Sequence, residues 1–266
     1  MFIIFLILGL IIGSFLNAVV YRLYQVESLW ERSHCPNCRK KVRWFDNIPV
    51  LSFIVLGAKC RDCGEKISWQ YPIMEAMTGV VFALIGGYFF DLADPASWLL
   101  TAYYFVVFSL LMVIFVYDYK YMEIPMTILW SGVIASLVYF LYADWQSIQF
   151  AGSLLDLRTT SGLIGGLVAF LFFFSLAAYS KETWMGYGDA YLGLLVGLIV
   201  GWPDIVAALM LSFAIGAVVS VALVAFSKKT MKSQVPFAPF LITGTFLTLI
   251  LPQIFTSLKY LFFFFG

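Results

Sequence analysis

Long apolar runs that charge almost never interrupts decide what this 266-residue chain can fold into. Hydrophobic residues make up 62% of it and charged residues 12%, about half the charged share of a soluble globule. At roughly 20 apolar residues per crossing, eight crossings would take up about 160 residues, nearly the whole apolar inventory. The pattern predicts an all-α polytopic membrane protein. It excludes a soluble enzyme, a nucleic-acid binder and a disordered chain. Spans are expected at Phe2–Val20, Tyr71–Phe90, Ser97–Tyr117, Pro125–Tyr142, Ser161–Tyr179, Asp189–Trp202, Ile205–Phe226 and Ala238–Phe264. No basic residue precedes the first run and no small-residue cleavage site follows it, so it reads as a retained span and not a signal peptide.

Between the first two spans, residues 21–70 break the pattern. They hold all four cysteines, the single histidine His34 and nine lysines and arginines. The expected organisation is a first helix (1–20), a small cysteine-loop module (21–70) and a seven-helix membrane domain (71–266). The net charge of +1 says little, because placement matters more than the sum. With the cysteine loop in the cytoplasm, Lys120, Lys181, Lys228, Lys229 and Lys232 also fall inside, and only Arg158 and Lys259 outside. Asp91, Asp94, Asp144, Asp156 and Asp204 then occupy outer loops, and both termini face out.

Cys35-Pro-Asn-Cys38 and Cys60-Arg-Asp-Cys63 are two CxxC pairs separated by 21 residues, just beyond the usual spacing of two-pair zinc sites. Two such knuckles supply the four thiolates of a tetrahedral zinc site, which is structural and performs no chemistry. A redox CxxC is the weaker reading, since no thioredoxin-like alternation of strands and helices surrounds either pair. Four sulfurs suffice, so His34 is left as an ordinary loop residue.

Carboxylates at membrane depth are costly unless they face protein or water. Asp118 ends the third span, followed by Ile124-Pro125, and Asp189 opens the sixth within Gly186-Tyr187-Gly188-Asp189. In the expected topology both lie on the cytoplasmic side and can meet despite a separation of 71 positions. Asp189, Gly193, Gly197 and Gly201 recur every four residues, placing the aspartate on a glycine face that another helix can approach closely. Fourteen residues from Asp189 to Trp202 make about 21 Å of helix, short of a roughly 30 Å core. Asp189 is therefore expected below the surface, in a cavity opened by loosened backbone at Gly186 and Gly188.

The ordered set Gly13-Ser-Phe-Leu-Asn17, Tyr21-Arg22, the two cysteine pairs, Asp46-Asn47-Ile48-Pro49, Tyr71-Pro72, Glu75, the Asp118 segment, GxGD and Pro236-Phe237-Ala238-Pro239-Phe240 resembles the type IV prepilin peptidases over nearly the whole chain. That resemblance implies an aspartic endopeptidase of the bacterial inner membrane that removes the basic leader from pilin-like precursors at the cytoplasmic face. It maps the catalytic pair onto Asp118 and Asp189. It also implies zinc in the cysteine loop and methylation of the new N-terminus with S-adenosylmethionine, for which Asn17, Arg22 and Glu75 match family positions. The chain departs from the pattern at Tyr191, Met126 and Ala238, where lysine, aspartate or asparagine, and glycine are usual. None of these removes a carboxylate, although Ala238 could alter a turn made by glycine.

Other readings use the same residues. A proton-coupled transporter also needs buried carboxylates, with Glu75 as a further candidate, yet the spans offer few other polar groups. A zinc-module scaffold without catalysis would tolerate loss of both aspartates. Tyr117-Asp118 with GxGD is also similar to the presenilin-like intramembrane proteases, against which the cysteine loop and the GSFLN segment argue. Within an aspartic pair, position along the helices makes Asp189, at a helix start, the base that activates water, and Asp118, at a helix end, the acid.

Overall fold

The computed structural model describes the chain apart from residues 29–30, 148–156, 227–234 and 266, with side chains 147 and 255–265 also left aside. Among the described residues there is no β-strand, only isolated bridges in the cysteine loop. Each expected span is a helix: α1 (Phe2–Gln25), then, past a short α2 (Leu51–Val55), α3 (Gln70–Phe89), α4 (Pro95–Tyr121), α5 (Met126–Ser147), α6 (Arg158–Ser180), α7 (Tyr187–Val200), α8 (Asp204–Phe226) and α9 (Ala238–Phe265). Among the described residues six are long and apolar enough to cross a membrane, while α7, as its length in the sequence implied, and the stretch Ala238–Ile254 of α9 are shorter. Asp156, Lys228, Lys229 and Lys232 lie outside the described residues.

The chain divides into two compact units, Met1–Val116 and Tyr117–Gly266, with the boundary inside α4. In the first, α1 and α3 pack along small residues. A Cβ on Gly9 would lie 2.6 Å from the Thr78 carbonyl oxygen, and one on Gly13 would lie 2.8 Å from the Glu75 Cα, so only glycine lets the two backbones approach this closely. The opposite face of α1 exposes Ile3, Ile7, Ile11 and Phe15, apolar surface suited to lipid.

In the second unit α7 is central and packs against α5, α6, α8 and α9. Ala190, Leu192, Leu195 and Val196 are wholly buried there. The glycine face of α7 meets a matching one on α6: a Cβ on Gly165 would sit 2.7 Å from the Gly197 carbonyl oxygen, and Gly193 receives the Phe173 ring. Gly201 does not continue the stripe in helix. It terminates α7 with φ 75°, a conformation that favours glycine, and its N–H donates to the Gly197 carbonyl.

Asp144 is not a loop residue either. It is buried within α5, and its carboxylate accepts the backbone N–H groups of Arg158 (2.9 Å) and Thr159 (2.8 Å). It thereby caps α6, whose own N-cap residue Leu157 has no side chain able to do so.

Candidate active site and cysteine module

Asp118 lies in the last turn of α4, and Asp189 is the third residue of α7. The fold brings them close enough for their charges to interact. Asp118 is buried and its Oδ2 accepts the Ala238 N–H at 3.2 Å. Ala238 opens α9, so the carboxylate at the end of one helix caps the start of another. Asp189 is half-buried, its N–H donates to the Gly186 carbonyl at 3.1 Å, and its carboxylate turns back to the Gly186 N–H. This is the N3 half of a capping box; Gly186 has no side chain to supply the other half.

Two expectations change here. Gly188 is not loosened backbone but part of the first turn of α7, and a Cβ on it would meet Ile124 Cδ1 at 3.3 Å. Its missing side chain makes room for the residue that leads from α4 into α5. The assignment of base and acid from helix ends also loses its footing, because Asp118 too sits at a helix start, that of α9. Ala238 shows no positive φ and needs no glycine. Its part in the site, a backbone donor to Asp118, carries no signal in its residue type. Tyr191 packs among aromatic rings, with centroids 5.6 Å from Phe170 and 6.1 Å from Trp130.

In the first unit the four cysteines converge, their sulfurs all within 4.8 Å of one another and Cys35 Sγ 3.9 Å from Cys63 Sγ. Tetrahedral zinc with Zn–S bonds of about 2.3 Å needs sulfurs about 3.8 Å apart, so the set fits. The two knuckles are copies. Cys35 N–H donates to Lys40 and Arg39 N–H to Cys35, as Cys60 does to Glu65 and Gly64 to Cys60, and Arg39 and Gly64 both have positive φ. Backbone N–H groups of Cys63 and Asp62 lower the Cys60 thiol to about 7. Cys38, despite an N–H from Lys40, rises to about 11 through desolvation and the neighbouring sulfurs. A cation bound among the four sulfurs would hold all of them as thiolates. His34 stands outside the cluster, 3.9 Å from Glu27.

Arg61, inside the second knuckle, forms a forked ion pair with Asp46 (2.6–3.1 Å), which holds that carboxyl below its usual range. The segment after Asp46 ends at Val50, strained at φ 60°, whose N–H donates to Glu75 Oε2 at 2.7 Å. Asn17 donates to the carbonyls of Gly13 and Tyr71, while its buried Oδ1 has no protein partner among the described residues. Arg22 donates to the Glu31 carbonyl and lines a cleft of about 840 Å³ between α1 and the loop. Asn17, Arg22 and Glu75 are all buried in this unit, with Glu75 and Asn17 committed to backbone groups.

The molecule thus defines a class: a polytopic membrane protein with a four-cysteine module near its N-terminus and a pair of aspartates at helix ends. Residues 7–89 match the Bacterial Peptidase A24 N-terminal domain and residues 105–221 the Type IV leader peptidase family. The chain is 33% identical to the prepilin leader peptidase/N-methyltransferase of Bacillus subtilis over 91% of this chain and 90% of that protein. It is 32% identical to the one of Vibrio cholerae serotype O1 over 75% and 77%. It is also 29% identical to a type 4 prepilin-like proteins leader peptide-processing enzyme of Escherichia coli over 93% of each. No solved structure matches. The chain belongs to the type IV leader peptidase family.

Proposed function

We propose that the protein is a membrane aspartic endopeptidase that removes the leader from type IV prepilin-like precursors, with Asp118 and Asp189 as its catalytic pair. The observation that supports the assignment is that the end of α4 and the start of α7 bring these two carboxylates near enough for their charges to interact. Between them one carboxylate takes a proton from water as it attacks the scissile carbonyl, and the other gives a proton to the carbonyl oxygen, so a shared proton serves both roles. The family match disfavours a transporter, and the four-cysteine module disfavours a presenilin-like protease. The bias of lysine and arginine supports a cytoplasmic position for the cysteine loop and the aspartates in the bacterial inner membrane.

Cys35, Cys38, Cys60 and Cys63 are the zinc ligands, in a structural role. The methyltransferase half rests on the names of the relatives and on the buried polar set Asn17, Arg22 and Glu75. S-adenosylmethionine, when bound, supplies the methyl group. The unpaired Oδ1 of Asn17 would face it, with Arg22 holding the Glu31 carbonyl and Glu75 keeping the adjoining turn in place through Val50. Purified protein with a prepilin-like precursor in detergent tests the protease assignment. Asp118→Ala and Asp189→Ala should each lose cleavage by at least about 10³-fold while remaining folded, and substantial cleavage by either would refute it.

A further inference from the structure

The cleft beside α1 has two kinds of wall. One is the lipid-facing flank of α1, with Ile7, Ile11 and Phe15 all more than half exposed. The other, contributed by the loop and the end of α1, carries three arginines, Arg22, Arg32 and Arg43, against one acid, Glu31. Neither Arg32 nor Arg43 forms an ion pair among the described residues. From Ile7 to Ala18 the apolar wall is about 17 Å long, close to one leaflet of a roughly 30 Å core. The loop above it is not dressed for water: Trp44, Leu51, Ile54 and Val55 are each more than half exposed. Exposed tryptophan and aliphatic residues beside arginines mark a surface that sits among headgroups.

We propose that this cleft holds one anionic phospholipid, with an acyl chain along Ile7, Ile11 and Phe15 and its phosphate at Arg32 and Arg43. The exposed apolar residues of the loop seat the cysteine module in the headgroup layer around it. A zwitterionic lipid would meet the same apolar wall but would bring a cation to an arginine-rich mouth, so charge decides the occupant.

The test uses the full-length protein in nanodiscs with equal phosphatidylglycerol and phosphatidylcholine, read by native mass spectrometry and by a photoactivatable phosphatidylglycerol. Phosphatidylglycerol should be retained over phosphatidylcholine on the order of thirtyfold, as two arginines at an anionic surface imply. The label should map to residues 7–22 and 31–49. Arg32→Gln with Arg43→Gln should bring retention to parity, while the paired lysine substitutions keep the preference. Equal retention by the unaltered protein, or labelling elsewhere, overturns the proposal. Displacement of the label by a peptide spanning a leader junction would assign the cleft to the substrate and overturn it as well. Cleavage by the aspartates is measured separately and does not enter either outcome.

Discussion

The two units face one problem, fixing polar groups precisely within a chain poor in them, and solve it by different means. The first uses side chains: four cysteines, the Arg61–Asp46 fork, and Glu75 holding Val50. The second uses helix ends and glycines: Ala238 N–H on Asp118, the Gly186 backbone at Asp189, and the Gly165–Gly197 approach that sets α7 against α6. A site held by ligands and ion pairs should respond to chelators and acid, and one held by backbone geometry to substitutions that add atoms or delete a donor.

The sharpest way to break this division is to ask whether either unit fails alone. Asp118→Ala and Asp189→Ala should abolish leader cleavage yet leave labelled methyl transfer to an already cleaved substrate near its original level. Loss of both activities would show one joint site. Replacing any of Cys35, Cys38, Cys60 or Cys63 by serine should take zinc from one per chain to almost none by elemental analysis. Acidification should do the same, because the ligands must be thiolates. Cleavage should outlast the metal.

Within the second unit, Ala238→Pro removes the donor to Asp118 at a first helical position that proline otherwise suits. A lost hydrogen bond to a charged group is worth about 1.5–3 kcal/mol, so kcat should fall about 10- to 100-fold with KM little changed. Ala238→Gly keeps the donor and should stay close to the parent. Unaltered kcat in the proline variant would dismiss the contact. Gly197→Ala places a Cβ against the Gly165 backbone and should cost about 1–3 kcal/mol in thermal stability, with reduced cleavage and normal zinc.

The smallest effect is expected at the Asp46–Arg61 fork. Arg61 lowers the Asp46 carboxyl, so the fork stabilises the module above the unfolded value of about 3.9 and loses that contribution as pH falls through the lower folded value. Asp46→Asn should raise hydrogen exchange in Trp44–Pro49 at neutral pH, and the difference from the parent should vanish in strong acid. A difference that persists there would point to packing instead of charge.

Much of this architecture is legible in the chain because the rules behind it are local. A run too apolar for water becomes a helix in lipid, two CxxC knuckles can offer sulfurs to one metal, and a four-residue glycine repeat lies on one helix face whatever surrounds it. Eight helices, the cysteine cluster and the α6-facing glycines of α7 follow from such patterns. What the chain alone could not reveal depends on which ends meet. Asp144, a loop acid by pattern, caps α6 from within α5, because a helix without its own cap takes a carboxylate from whichever neighbour is near. Gly188 makes room for Ile124, and the backbone of Ala238, 120 positions away, hydrogen-bonds Asp118. A backbone N–H is the same on nearly every residue, so no residue type announces it; only packing decides which carboxylate it reaches.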